Sequence, residues 1–256
     1  KETMATYKKC GAKKSIAKPQ VEEQQLESTT AEVFETLDAN ASKTEEFVAN
    51  NQNTILGLIG AITVVVLGYL AYEAYVLTPK NETAVSELNQ AQYYFNLAVN
   101  GEESAALYER AINGGDGKYG FLDIIENYSG TPAAGLAQYS TGMAYLNTKQ
   151  YEKAISYLED FSSDDVLLSA LANGALGDAH AQLGDNQKAL KYYKAAVNAS
   201  DNGFTTPKYL FKAGLVGANM NQNSEALGFF KRIQDEFSTS PEAAQIEIQI
   251  GRLENQ

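Results

Sequence analysis

The stretch Thr54–Tyr72, TILGLIGAITVVVLGYLAY, carries no charged residue and most constrains what this chain can fold into. Nineteen helical residues span about 28 Å, close to the ~30 Å hydrocarbon core of a bilayer. Ten of the residues between Ile55 and Leu70 are Leu, Ile or Val, which favour insertion enough to outweigh the glycines and Thr63. The alternative is a buried core helix, but a core helix seldom stays free of charge over this length. The sequence therefore predicts a transmembrane helix over residues 54–77.

Residues 1–53 form the predicted leader to this helix. A lysine-rich patch is followed by an acidic, Gln-rich run, a composition that buries little apolar surface. We expect a mostly disordered leader with a short helix that begins near Ser28–Thr30, whose hydroxyls are suitable helix caps. The leader is too long for a cleaved signal peptide. Seven lysines precede the apolar segment and Lys80 alone follows it closely, so the leader is predicted to lie in the cytoplasm, with residues 78–256 on the opposite side of the membrane.

Two small residues one helical turn apart, Gly57 and Ala61, lie within the apolar segment. Small residues at this spacing allow two membrane helices to approach closely. We therefore predict a membrane contact at Gly57 and Ala61.

The part of the chain that follows the apolar segment is acidic. Residues 77–256 contain 13 Lys and Arg against 22 Asp and Glu, a net charge of −9. Nucleic-acid binding requires a basic face, so this composition excludes nucleic acid as an expected partner.

Three copies of one spacing pattern organise this acidic part. Each copy has a glycine, an alanine twelve residues later and a large residue four further on. The copies are Gly142, Ala154 and Leu158; Gly177, Ala189 and Tyr193; and Gly214, Ala226 and Phe230. Successive glycines are 35 and 37 residues apart, so the pattern resembles the tetratricopeptide repeat (TPR), a pair of helices with a period of about 34 residues. The glycine and alanine are predicted to lie where the two helices cross, and the large residue fills the remaining gap.

The fold class predicted from these patterns is all-α: a single N-terminal transmembrane helix followed by a TPR-type α-solenoid in residues 78–256. The match is loose in places, since Gly217 replaces the tyrosine expected in the third clear repeat. A lone last helix would cap the solenoid, because each unit buries its apolar face only against a neighbour. The predicted units are a degenerate first repeat at 83–130, clear repeats at 133–161, 168–197 and 207–237, and a capping helix at 241–253. The first repeat has an insertion at Gly101–Lys118, which is expected to include a helix at Ser104–Ile112.

With one anchor and an acidic TPR array on the far side of the membrane, the whole chain resembles the YfgM-like ancillary subunits of the bacterial Sec translocon. The resemblance rests on architecture over about 200 residues and implies a single-pass protein of the bacterial inner membrane whose C-terminal domain is periplasmic. It also implies work beside a membrane-anchored chaperone on newly exported clients. The alternative is a TPR scaffold that assembles another envelope complex, in division or secretion.

No arrangement of residues typical of catalysis is recognisable, so we expect neither an enzyme nor a cofactor or metal site. His180, the only histidine, occupies an aromatic position of its repeat and is expected to pack between helices. Gly114–Lys118 lacks the spacing of a phosphate-binding loop and is expected to be a flexible loop tip. Asp160, Asp164 and Asp165 are expected to cap a helix.

The expected function is protein binding, because the first helix of each repeat lines a groove in a TPR array. Counting from the glycines predicts groove residues in each clear repeat: Leu136, Tyr139, Met143 and Asn147; Asp178 and Gln182; and Lys208, Phe211, Leu215 and Asn219. This set holds one lysine, whereas binding the acidic C-terminus of a partner protein would need several basic residues, so that kind of ligand is disfavoured. Extended apolar segments or a partner helix suit it better, although the same residues are also candidates for packing between repeats.

Overall fold

A computed structural model describes residues 22–101 and 104–255, with side chains from residue 45 onward. The described residues form helices and no strand, which confirms the all-α prediction. The helices are α1 (Glu22–Tyr72), α2 (Thr78–Asn100), α3 (Ser104–Asn113), α4 (Phe121–Asn127), α5 (Pro132–Asn147), α6 (Tyr151–Glu159), α7 (Val166–Gln182), α8 (Asn186–Ala199), α9 (Thr205–Asn219), α10 (Asn223–Glu236) and α11 (Ile246–Glu254). The chain divides into two compact units, one ending at Leu70 and the other beginning at Ala71.

Helix α1 corrects the expectation of a mostly disordered leader. From Glu22 onward the leader is one continuous helix, and the predicted helix start at Ser28–Thr30 lies inside it. Glu, Gln, Ala and Leu dominate this segment, and their good helix propensities outweigh the few serines and threonines that favour caps. The predicted disorder of residues 1–21 lies outside the described residues.

Among the described residues, one helical stretch is long and apolar enough to cross a membrane, and it contains the apolar part of α1. Its most apolar 18-residue window has a mean hydropathy of 2.3, and none of that window is buried within the protein. Val64 and Val65 are 71% and 70% exposed. A π-helical turn, Glu73–Leu77, follows α1 directly and precedes α2.

Helix pairs of the three clear repeats cross at their glycines, as the spacing predicts. A Cβ atom on Gly142, Gly177 or Gly214 would lie 2.4–2.5 Å from the large side chain sixteen residues later in the partner helix. Those side chains are Leu158, Tyr193 and Phe230, all buried. The alanines of the pattern, Ala154, Ala189 and Ala226, are fully buried. Each helix pair is therefore held by a large side chain that lies directly against the backbone of the facing glycine.

The predicted first repeat contains three helices, because the insertion forms α3 at the position predicted for its helix. Helix α2 presents a buried stripe that packs against both α3 and α4. Tyr108 and Ile112 of α3 lie in the same cluster as Ala98 of α2 and Ala144 of α5. Helix α3 is amphipathic, so the inserted segment becomes part of the core.

Gly114–Lys118 is a tight turn, which differs from the flexible loop tip expected from the sequence. Gly114 has φ +82°, and Gly115 and Lys118 are paired by backbone hydrogen bonds. The Asp116 carboxylate accepts a hydrogen bond of 2.8 Å from the Tyr94 hydroxyl and lies 3.8 Å from Arg110. These side-chain contacts tie the turn to Tyr94 of α2 and Arg110 of α3.

The C-terminal end begins with a 3₁₀ turn, Pro241–Gln245, and ends with α11. Ser240 caps the turn by accepting a hydrogen bond from the backbone N–H of Ala243. Ile246, Ile250 and Leu253 of α11 are buried against the last helix pair. The predicted capping helix, 241–253, thus corresponds to a short 3₁₀ turn followed by an α-helix.

Replacing Gly177 by alanine is expected to lower the free energy of unfolding by about 1–3 kcal/mol, because the new Cβ would clash with the buried ring of Tyr193. The matched control is Gly228→Ala, since Gly228 lies in the interior of α10 with nothing near its Cβ position. This control should be neutral or stabilising by up to about 1 kcal/mol. Urea unfolding of the full chain in detergent micelles, followed by circular dichroism, measures both. Equal effects of the two substitutions would contradict the crossing geometry.

Candidate functional site

The first helices of the clear repeats, α5, α7 and α9, lie side by side, since α7 contacts both of the others. Residues six before, three before, one after and five after each crossing glycine share one face of these helices. We call this surface the helix-A face. The predicted groove residues are its members, together with Leu171 and Gly174 of α7.

The structure places the predicted groove residues at two depths. Leu136, Asn147, Gln182 and Asn219 are exposed, whereas the other six are half-buried. Tyr139 and Met143 pack partly against the cluster that contains Leu158, and Phe211 and Leu215 pack partly against the cluster around Phe230. The apolar members therefore contribute to packing between helices as well as to the surface.

A polar cluster around Asp178 lies at the middle of the helix-A face. The Asp178 carboxylate accepts a hydrogen bond of 2.7 Å from the Tyr193 hydroxyl. It also accepts bonds of 2.5 and 2.7 Å from the Lys212 ammonium. The side chains of Asp178 and Lys212 are 31% and 30% exposed, so this ion pair is reached by solvent from the face and closed beneath it.

Glycine 174 makes room for a second tyrosine beside this cluster. A Cβ atom on Gly174 would lie 2.0 Å from the ring of Tyr209, which reaches α7 from α9. Tyr209 stacks on Tyr193, with ring centroids 6.3 Å apart and 16° between the ring planes. The repeats that contain α7 and α9 are therefore joined by two rings and one carboxylate.

The charges of the cluster are balanced locally. Burial, and then the Asp178 carboxylate, raise the pKa of Tyr193 and of Tyr209, so both phenols stay protonated at neutral pH. Lys212 neutralises Asp178, so Lys208 is the remaining charge of the helix-A face. The Lys208 ammonium lies 5.7 Å from the centre of the Tyr209 ring. A face with this charge balance does not provide the several cationic side chains that are needed to bind the acidic C-terminus of a partner protein.

Lys212, Tyr193 and Tyr209 belong to this site, and counting from the glycines did not select them. Lys212 lies two residues before Gly214, between two selected positions, and Tyr193 had been assigned only to packing. The sequence did contain a signal for a ring at this place. Position 174 of the helix-A face is a glycine, which leaves room for a side chain from a neighbouring helix, and Tyr209 fills it.

Gly57 and Ala61, the predicted membrane contact, lie on the exposed part of α1. A Cβ atom on Gly57 would meet nothing within 4 Å. The surface is open to another helix, and pairing there stays a prediction.

His180 packs between helices as expected. It is 4% exposed and stacks on Tyr192 at 5.3 Å between ring centroids. Its Nε2 has no hydrogen-bond partner among the described residues. Burial, assisted by the Lys188 ammonium, lowers the pKa of His180, although Asp185 and Glu159 oppose this shift.

Of the three acidic residues expected to cap a helix, Asp165 caps α7. Its carboxylate accepts hydrogen bonds from the backbone N–H groups of Leu167 and Leu168. Within the described part of the chain, no group of three His, Cys, Asp or Glu residues is arranged to hold a metal ion.

Replacing His180 by phenylalanine is expected to reduce the acid sensitivity of folding. A histidine whose pKa is lowered in the folded state binds fewer protons there, so its stabilising effect is complete above the unfolded pKa of about 6.5 and falls as pH drops below it. The pKa of Asp185 is also lowered, chiefly by the backbone N–H of Lys188, and its titration lies below this window. Urea midpoints at pH 7.5 and 5.5 measure the effect. An unchanged difference between the two midpoints in the variant would contradict it.

Two sequence comparisons with known proteins agree with the repeat pattern. The sequence model of a tetratricopeptide-repeat family matches residues 139–204. Tetratricopeptide repeat protein 29 of Macaca fascicularis is 26% identical over 125 residues, which cover 47% of this chain and 26% of that protein. The chain thus spans about a quarter of the length of that relative. The crystal structure of MamA protein aligns with a TM-score of 0.48 and 17% identity, covering 65% of this chain and 81% of that one.

The family match includes most of the first two clear repeats, with the crossings at Gly142 and Gly177. Spacing, helix pairing and similarity therefore lead to one conclusion: the chain contains tetratricopeptide repeats, which indicate protein partners.

Proposed function

We propose that this chain is a single-pass membrane protein whose TPR domain binds other proteins through the helix-A face. The exposed apolar surface of α1 is the observation that carries the proposal. An uncharged helical segment of this length, with none of its most apolar window buried, is strongly unfavourable in water and favourable in lipid. The anchor would keep the binding domain at the membrane surface, where its partners are held or presented.

The partners proposed in more detail are those of a Sec translocon subunit. The leader, anchor and acidic TPR domain resemble the YfgM-like ancillary subunits in their order along the chain. In this proposal the protein lies in the bacterial inner membrane, with its N-terminus in the cytoplasm and its TPR domain in the periplasm. It scaffolds a membrane-anchored chaperone or exported clients beside the channel. The helix-A face, partly apolar and with Lys208 as its remaining charge, suits an extended apolar segment or a partner helix.

Replacing Val64 and Val65 by arginine is expected to abolish membrane insertion. Each arginine costs about 2.5–3.5 kcal/mol near the middle of a membrane helix. The readouts in a bacterial host are resistance of the protein to alkaline extraction and the activity of a C-terminal alkaline phosphatase fusion, which requires the periplasm. The wild type should be resistant and active, and the double variant should lose both properties.

The matched control replaces Val85 and Val99, exposed valines of α2, by arginine and should behave like the wild type. Extraction of the wild type would contradict the anchor. A membrane-bound but inactive fusion would contradict the orientation.

A photo-crosslinking amino acid at Asn147, Gln182 or Asn219 is expected to capture protein partners in cells. These residues are exposed and lie five residues after the three crossing glycines, so one probe samples each repeat at the same register. Matched probes at Glu152, Gln187 and Gln234 sample exposed positions on the second helices. We expect adducts from the first set and few from the second.

The masses of the adducts test the finer proposal. Translocon subunits, a membrane-anchored chaperone or exported clients in the first set would support it. Adducts formed with division or secretion proteins instead would favour the alternative scaffold. Adducts from the second set alone would contradict binding at the helix-A face.

A further inference from the structure

A cleft opens where α5 and α7 begin, away from the polar cluster of Asp178. Its walls are the α4–α5 turn with the first residues of α5, and the loop 160–165 that leads into α7. Its volume is about 660 Å³, within the range of about 300–1,000 Å³ of known ligand sites. We call it the rim cleft.

The apolar part of the rim cleft comes from both sides. Leu136 of α5 is 38% exposed, and Leu168 of α7, Ile125 of α4 and Phe161 are half-buried in its lining. Exposed Leu136 therefore offers apolar surface that the repeats leave uncovered. Gly130 and Gly135 line the same space and add no side chain to obstruct it.

The charged part of the rim cleft has one sign. Asp160, Asp164 and Asp165 line it, and no Lys, Arg or His is among its lining residues. Asp165 is engaged as the cap of α7, whereas the side chains of Asp160 and Asp164 are exposed and their carboxylates make no ion pair or hydrogen bond with the described residues. Lys80 does not line the cleft, although its ammonium donates a hydrogen bond of 2.9 Å to the carbonyl of Ser129, a lining residue at the α4–α5 turn.

These two properties select a partner that is both basic and apolar. The carboxylates do not form a metal-binding group, so a bare cation does not explain them. A neutral apolar peptide would leave two carboxylates unpaired beside it, and a purely basic one would leave Leu136 uncovered. A peptide that carries a Lys or Arg next to an apolar side chain satisfies both.

We propose that the rim cleft binds an extended peptide segment of a protein partner in which Lys or Arg alternates with apolar residues. The cationic groups pair with Asp160 and Asp164, and the apolar side chains cover Leu136. This inference deepens the proposed function, on which it rests, by naming the chemistry of one partner segment. It adds a second contact surface, separate from the middle of the helix-A face.

The test is fluorescence anisotropy with the full chain in detergent micelles and a labelled ten-residue peptide of alternating leucine and lysine. Peptides of alternating leucine and glutamate, and of serine and lysine, are the matched ligands and should bind at least about tenfold more weakly. Asp160→Asn with Asp164→Asn should weaken binding of the leucine–lysine peptide about five- to tenfold at low salt. The loss should shrink at about 0.5 M salt, where exposed charges are screened.

The control variant combines Asp235→Asn with Glu247→Gln, which removes two exposed charges outside the cleft. It should bind like the wild type. Equal losses in both variants would show a bulk charge effect and overturn the proposal, as would equal binding of the leucine–glutamate peptide.

A photo-crosslinker at Ser162, an exposed cleft residue, and one at Asn219 separate this proposal from the proposed function. Peptide adducts at Ser162 support the rim cleft. Adducts at Asn219 alone overturn the rim cleft while leaving protein binding at the helix-A face intact.

Discussion

The close approach of two helices at a glycine is the interaction on which the TPR domain depends. At Gly142, Gly177 and Gly214 the missing side chain lets Leu158, Tyr193 or Phe230 lie against the backbone of the facing helix. Each contact sets the distance within one helix pair. Because a solenoid unit buries its apolar face only against neighbours, the same contacts also set the surface that the next pair meets.

The polar cluster is a consequence of that constraint. Gly177 lets Tyr193 of α8 lie close to α7. The Tyr193 hydroxyl therefore reaches Asp178, the residue that follows the glycine. Gly174 admits Tyr209 from the next repeat, and Lys212 of the same helix completes the ion pair with Asp178. A neutral, mixed surface therefore results at the middle of the helix-A face, whereas the carboxylates of Asp160 and Asp164 lie in the rim cleft.

Much of the fold was predictable because it depends on local periodicity. The linear chain shows the uncharged run 54–72, the spacing of the glycines and the alanines that follow them by twelve residues. The predicted disorder in the part of the leader from Glu22 onward was wrong, because helix propensity acts along the whole segment and needs no tertiary partner. The role of α3 was missed because an insertion breaks the repeat period, although its own residues are amphipathic and pack into the core.

The sequence by itself determined the helical class, the repeat period and the apolar helix, since each follows from side-chain size and polarity at fixed spacing. Only the tertiary structure decided which groove residues are exposed and which are paired. Lys212 meets Asp178 across 34 positions of the chain, and the rim cleft joins a turn before α5 to a loop before α7. Such contacts depend on how successive repeats stack, and stacking is set by the shapes of many side chains together.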